Sequence, residues 1–205
     1  GTYAALPQTY SSLSSGNYTI YVKDDANCEQ TYSTTVTVPS QVTISATSTT
    51  YPTCYNSTNG SITLSASGGS GSGYQYRVDG GTWQSSATFS SLGTALYYFE
   101  AKDSAGCVTT SGVSADFRKS APTCTISVTN VSCNGGSNGS IATSSPSGGN
   151  SGAYTVSLDN ITYYAFPKTF SSLGAGSYTV YVKDASGCVQ SYTQTITQPT
   201  AQTAS

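Results

Sequence analysis

The sequence predicts an all-β chain of tandem antiparallel β-sandwiches, about seven strands to a copy. Three observations predict it. One stretch recurs three times: Tyr10-Ser11-Ser12-Leu13 running to Tyr21-Val22-Lys23-Asp24, Phe89-Ser90-Ser91-Leu92 running to Glu100-Ala101-Lys102-Asp103, and Phe170-Ser171-Ser172-Leu173 running to Tyr181-Val182-Lys183-Asp184. The copies begin 79 and 81 residues apart, too long for a solenoid unit and long enough for a domain with its own core. Within a copy, short alternating segments are separated by turn residues, and no segment keeps a helical period over several turns.

The third copy shows each element in order. Thr125–Val128 alternates, and Ser140–Thr143 follows the Asn138-Gly139 turn signal. A loop rich in Pro, Gly and Asn spans 145–152. Tyr154–Leu158 alternates again before an Asp159-Asn160 turn. Thr162–Phe166, Thr169–Leu173, Tyr178–Lys183 and Val189–Thr197 complete the set. In the Tyr178 strand, period 2 puts Tyr178, Val180 and Val182 on one face and Thr179, Tyr181 and Lys183 on the other. The face without lysine must be the core face. Leu-x-x-Gly-x-Tyr before this strand (Leu173, Gly176, Tyr178; Leu13, Gly16, Tyr18) resembles the tyrosine corner of immunoglobulin-like sandwiches. Ala95-Leu96 replaces the Gly-x pair in the middle copy, which predicts a looser corner there.

The period divides the chain into 1–40, the second half of a truncated repeat; 41–121 and 122–199, complete repeats; and 200–205, the start of another. The simplest expectation is an excerpt from a longer polypeptide. Charged residues are 8% of the chain, His and Met are absent, and the net charge is −2. That balance offers no basic footprint for nucleic acid and no polybasic patch for lipid headgroups. No apolar run in this segment is long enough to insert into a membrane. The 17 Tyr and 5 Phe argue against disorder despite the low charge.

Six cysteines follow the period. Cys54 and Cys133 each precede an Asn-Gly-Ser-Ile stretch, whereas Cys28, Cys107 and Cys188 each follow a Lys-Asp turn. Each complete copy holds one of each type, 53 and 55 residues apart. This spacing predicts disulfide-stapled copies with Cys54–Cys107 and Cys133–Cys188 pairs, each worth roughly 4 kcal/mol in the chain-entropy model. Cys28 and Cys124 fall outside the intra-copy pattern. Without a CxxC or any His, a zinc site is disfavoured, and neither a metal nor a cofactor is expected.

Asp24, Asp103 and Asp184 recur before the second cysteine. Calcium wants six to eight oxygen ligands, and the nine acidic residues are scattered, so a backbone-capping Asx-type turn is the favoured reading. A Ser-His-Asp triad is excluded within this sequence by the lack of His. Asp79 and Glu100 have no cleft signature that would pair them for glycoside hydrolysis. No catalytic residue is expected. Exposed aromatics are the remaining candidates for contact: Tyr3, Trp83, Tyr163 and Tyr164 after the mid-copy turn, and the outward Tyr21, Tyr98 and Tyr181. Packing on the sandwich flank is favoured for the first group, ahead of domain contact and glycan stacking.

Together, Cys-Asn-x-x-x-Asn-Gly-Ser-Ile (Cys133–Ile141), Ser-Gly-Gly (Ser147–Gly149; Ser67–Gly69), Ser-Leu-x-x-Gly-x-Tyr-x-Val (Ser172–Val180), Lys-Asp-x-x-Gly-Cys (Lys183–Cys188; Lys102–Cys107) and Thr-Gln-Pro (Thr197–Pro199) resemble the SprB-type repeat. That repeat builds giant cell-surface adhesins of gliding Bacteroidota exported by type IX secretion. The resemblance implies an extracellular, structural or adhesive role on the bacterial cell surface, in adhesion and gliding motility, and transfers no catalytic residue. Its implied partners are neighbouring repeats of the same chain, lateral or filament partners and surface glycans. Asp103-Ser104-Ala105 resembles the O-glycosylation signal of that phylum, which makes Ser104 a candidate acceptor. The alternative is a set of accessory polysaccharide-binding domains of a large secreted enzyme.

Overall fold

The structure, a computed structural model, describes residues 3–150 and 152–203. Gly1, Thr2, Ser151 in the Pro/Gly/Asn-rich loop, and Ala204 and Ser205 at the end of the expected next repeat lie outside the described residues. Every regular element among them is a β-strand, and every pairing is antiparallel.

A hairpin of β1 (Gly16–Lys23) and β2 (Glu29–Val36) comes first. The next unit pairs β3 (Thr43–Thr50), β4 (Gly60–Ser67) and β6 (Thr88–Leu92) in one sheet. Its second sheet holds β5 (Gln75–Val78), β7 (Leu96–Lys102) and β8 (Val113–Asp116). In the last unit β9 (Thr123–Thr129), β10 (Gly139–Ser147) and β13 (Lys168–Leu173) form a three-stranded sheet. Opposite it stand β12 (Tyr164–Ala165), β11 (Thr155–Ser157), β14 (Gly176–Lys183) and β15 (Val189–Ile196), in that order. Strands A, B and E of an immunoglobulin-like sandwich therefore face C, F and G, with β12 as a short extra strand beside C. The middle unit has only an isolated bridge, Tyr76 to Gln84, where β12 sits in the last unit.

Alternation builds the two cores. Ile62, Leu64, Tyr76, Phe89, Phe99 and Phe117 lie in the first, and Ile141, Val156, Val180, Val182 and Ile196 in the second. On β14, Val180 and Val182 are fully buried and Tyr178 packs partly buried against them. Tyr181 and Lys183 are half-buried outside the core.

The Phe-Ser-Ser-Leu signature needs its own explanation. Phe89 and Leu92 are three apart, which a regular strand would put on opposite faces, yet both are buried. Ser91 adopts φ 58°, and the pairing with β4 slips between Gly60 and Ile62. The resulting bulge returns Leu92 to the core face. Ser172, at φ 60°, does the same opposite β10, and Ser12 has φ 58°. Gly139 belongs to this device through space: a Cβ there would meet the Leu173 carbonyl at 2.8 Å and Ile196 at 2.9 Å.

The tyrosine corner is present in all three copies. Tyr18 and Tyr178 donate to the carbonyls of Ser14 and Gly174, at 2.8 and 3.1 Å. In the middle copy the bond is kept with its direction reversed, as the Gly93 N–H donates to the Tyr97 hydroxyl at 3.0 Å. The β1–β2 hairpin corresponds to β14–β15 but has no opposing sheet among the described residues. Its inward Ile20 is 37% exposed, and an open concavity of ≈ 630 Å³ lined by Leu6, Tyr10, Leu13 and Ile20 lies over that face.

Candidate functional site at the junction between repeats

Each complete repeat has two differently built ends, and the repeat motifs make them. At the tip, between the first two strands, Asn59 of Asn-Gly-Ser-Ile accepts from the Thr53 N–H at 3.0 Å and donates to the Thr53 hydroxyl at 3.2 Å. The Ser57 N–H donates to the Cys54 carbonyl at 3.0 Å. The last repeat copies this: Asn138 accepts from the Ser132 N–H at 3.1 Å, and Gly136 donates to the Cys133 carbonyl at 3.1 Å. Each turn thereby presents its cysteine on a fixed loop.

At the base, Asp184 joins two loops. Its Oδ1 accepts from the Ser186 and Cys188 N–H groups, both at 2.9 Å, and its Oδ2 accepts from the Asn150 N–H at 2.7 Å. Asp103 binds Ala105, Cys107 and Ser70 in the same way, at 3.0, 2.8 and 2.7 Å. These backbone bonds, that from Ser70 first, hold the Asp103 carboxyl below the usual carboxylate range. The recurring aspartate is thus a capping residue, with both oxygens occupied by backbone donors. Ser-Gly-Gly supplies the facing loop. Gly149 has φ 59°, and a Cβ there would lie 2.5 Å from Asp184 Oδ2, so glycine lets the loop close on the carboxylate.

The disulfide joins a tip to the next base. Cys54 is bonded to Cys188 with Cα atoms 5.4 Å apart and a sequence separation of 134. The expected Cys54–Cys107 and Cys133–Cys188 pairs are corrected by this bond: Cys107 and Cys133 carry free, exposed thiols. The physical reason is the length of the sandwich. Cys54 lies beyond the Thr50 end of β3, whereas Cys107 is fixed by Asp103 to the loop beyond Ser67, the far end of β4. Eight residues of strand separate these ends by about 25 Å, several times the Cα separation that a disulfide spans.

Polar contacts surround the bond. The Asn150 amide donates to the Thr53 carbonyl at 2.7 Å, and Lys119 from the connecting segment reaches Asn150 Oδ1 at 2.7 Å and the Thr53 carbonyl at 3.4 Å. The Tyr55 hydroxyl bonds Gln190 Oε1 and the Val189 carbonyl. Cys188 is only 3% exposed under this cover. Sequence reasoning missed Tyr55, Lys119, Asn150 and Gln190 because the copies differ there: Asn134 stands for Tyr55, and Ser70 for Asn150. The usable signal was the placement of the two cysteine types at opposite strand ends.

The other expected residues fall elsewhere. Cys124 stands on β9 where β3 has Ile44, partly buried against the second core, and burial pushes its thiol pKa up. The loop aromatics sit over the lysine of the Lys-Asp motif. Lys23 lies 4.9 Å from the Tyr3 ring centre, Lys102 lies 4.8 Å from that of Trp83, and Lys183 lies 3.4 Å from that of Tyr163. Arg77 also covers Trp83, at 4.5 Å. Tyr164 packs edge-on to Phe170 with Lys168 4.2 Å from its ring centre. Tyr21 and Tyr98 are exposed, and the Tyr98 hydroxyl accepts from the Gly112 N–H at 2.8 Å. Ser104 is exposed at the base and shares a 2.9 Å hydroxyl contact with Ser70. Tyr3 and Tyr21 line the same concavity on the β1–β2 hairpin. Among the described residues no helix is long and apolar enough to cross a membrane.

The comparisons agree with this repeat structure. The SprB repeat family model matches residues 46–82 and 125–162. Each match starts in a first strand and covers the tip turn and the second strand of its sandwich. No curated protein matches the sequence. Among solved structures, the chain is similar to one described as Sidekick-1 immunoglobulin domains 1-5, at 12% identity and a TM-score of 0.30. The alignment covers 90% of this chain and 45% of that one. The immunoglobulin-like class rests on the strand order described above.

Proposed function

We propose that this chain is a structural and adhesive segment of a very long secreted cell-surface protein, whose sandwiches carry binding functions away from the cell. The carrying observation is the Cys54–Cys188 bond, which fastens the tip of one repeat to the base of the next. A flexible string of domains has no use for a covalent clamp at its joint. The connecting segment between β8 and β9 is only six residues, from Phe117 to Pro122, and Lys119 within it takes part in the joint. Such a joint resists bending, which favours reach over collapse.

The outward surface suits contact with hydrated polymers or with neighbouring fibres, being rich in Ser, Thr and Tyr and poor in charge. Adhesion in gliding motility and type IX export are the settings in which such a segment would act, on the outside of a bacterial cell. The role is non-catalytic, since the polar clusters of the repeat are engaged in holding its own loops.

Small-angle scattering on arrays of increasing repeat number tests the reading. The maximum dimension is expected to rise nearly linearly with repeat number. A radius of gyration growing as for a compact globule, or turnover of a glycan or peptide by this segment, would overturn it.

A further inference from the structure

Among the described residues the Cys54 tip and the Cys188 base are joined, whereas the Cys107 base and the Cys133 tip are not. We propose that Cys107 and Cys133 are the open halves of further staples of the Cys54–Cys188 kind. Cys107 receives the tip cysteine of another repeat of this type, and Cys133 bonds the base cysteine of another. Each staple then skips its own domain and crosses a junction, so that successive junctions of an array are covalently locked in the same register. This inference rests on the array reading above.

The joined pair is the observation that points to the partner. The unjoined base has the architecture of the joined one before anything docks on it. Asp103 holds the Cys107 N–H at 2.8 Å, as Asp184 holds that of Cys188 at 2.9 Å. Gly69 donates to the Ser40 carbonyl at 2.7 Å, as Gly149 does to that of Ser120 at 3.1 Å. The difference is cover. Cys188 is buried beneath a tip, whereas Cys107 is exposed beside Val108, an apolar side chain 40% exposed. The unjoined tip is likewise preformed by Asn138 and presents an exposed Cys133. Within one repeat the two ends lie too far apart to satisfy each other, so the partner must come from another repeat.

The chemistry is thiol–disulfide exchange. The tip and base thiols together lose two protons and two electrons as the S–S bond forms. A protein or low-molecular-weight disulfide accepts them and leaves as two thiols.

Non-reducing peptide mapping of the intact cell-surface protein, alkylated before digestion, tests this. The expected products are the Cys54–Cys188 peptide, Cys107 linked to a tip peptide other than that of Cys133, and Cys133 linked to a Lys-Asp-x-x-Gly-Cys peptide other than that of Cys107. Alkylated Cys107 and Cys133, or a Cys107–Cys133 bond, would overturn the proposal. A second measurement uses the 205-residue chain and a synthetic peptide of sequence Pro52–Asn59 in a glutathione redox buffer. Cys107 should capture the peptide about tenfold better than Cys28, the ratio that about 1.4 kcal/mol of docking free energy gives. Cys28 is the internal control, because it has the capped turn (Asp24 Oδ1 to the Cys28 N–H, 2.9 Å) but no Gly-Gly loop opposite it among the described residues. Equal capture at both would mean mere accessibility and would sink the docking claim. Scattering separates the two readings: an extended array with free thiols defeats the staples alone, and a compact particle with both bonds mapped defeats the array alone.

Discussion

Substitution at Val180 tests the assignment of faces on which both repeats depend. Val180 is 0% exposed and lies in the core with Val156, Val182 and Ile196. Val180→Ala removes two buried methyl-sized groups, at about 0.8 kcal/mol each, and leaves a small cavity; the expected loss is about 2–3 kcal/mol. For a domain of this size that lowers the melting temperature by about 10–20 °C. Val180→Asp is far more severe. Full burial raises a carboxyl pKa by about 3–5 units, at about 1.4 kcal/mol per unit near neutral pH. Added to the lost apolar burial, this approaches the whole stability of a small domain, about 5–15 kcal/mol, so the last repeat should not fold. Tyr181, the next residue, faces outward between Ser157 and Ser191 of the flanking strands. Tyr181→Ser should cost about 1 kcal/mol or less. Urea unfolding followed by circular dichroism measures all three. Trp83, the single tryptophan, reports separately on the preceding repeat and should keep a cooperative transition in each variant. A loss from Tyr181→Ser as large as that from Val180→Ala would refute the register.

Three further outcomes are expected. Asp103 has a folded pKa below its unfolded value, so its contribution to stability is full above the unfolded pKa, about 3.9, and is lost as pH falls through the folded one. Melting temperatures should therefore drop below about pH 4, and Asp103→Asn should flatten that dependence in the Trp83 signal. Gly149→Ala strains a φ of 59° and crowds Asp184, so it should cost about 1–3 kcal/mol and slow re-formation of the Cys54–Cys188 bond after reduction, as quenched mass spectrometry would read. Trp83→Ala removes two cation–π contacts of about 0.5–1 kcal/mol each and should lower the melting temperature in calorimetry without releasing the disulfide; an unchanged melting temperature would mean that the ring lies idle on the surface.

Much of the fold was legible because period-2 alternation and turn residues act locally. The seven strands of the last repeat fall where their alternating segments run, and the Val180 face follows from where lysine cannot go. The extent of the Thr162–Phe166 strand was less so, since only Tyr164 and Ala165 pair; Asp159 instead knits the turn before it, accepting from Ser157, Ile161 and Thr162. The bulge at Ser91 and Ser172 was hidden because a left-handed serine looks like any other serine in sequence. The cysteine pairing was misread for a different reason. Equal spacing within each copy invites an intra-copy bond, and spacing is one-dimensional, whereas the sandwich puts the two cysteines at opposite poles.

That misreading bears on what the repeat motifs are for. A core needs only apolar residues of suitable size, and the two cores differ freely: Phe99 and Ala101 in one stand where Val180 and Val182 stand in the other. Some shared residues fill the core, such as the isoleucine of Asn-Gly-Ser-Ile (Ile62, Ile141), but others do not. These others are the asparagine that fixes the tip, the glycines and aspartate that fix the base, and the cysteine at each pole. Holding a loop of a few residues in one shape demands particular donors, acceptors and backbone angles, so those positions tolerate less change than a buried valine does. The Cys54 tip also meets a different repeat's base, so a change in that loop must suit its neighbour as well. Under the array reading proposed above, the shared tip and base motifs are the record of an end that must fit the next end, which an isolated domain would not need.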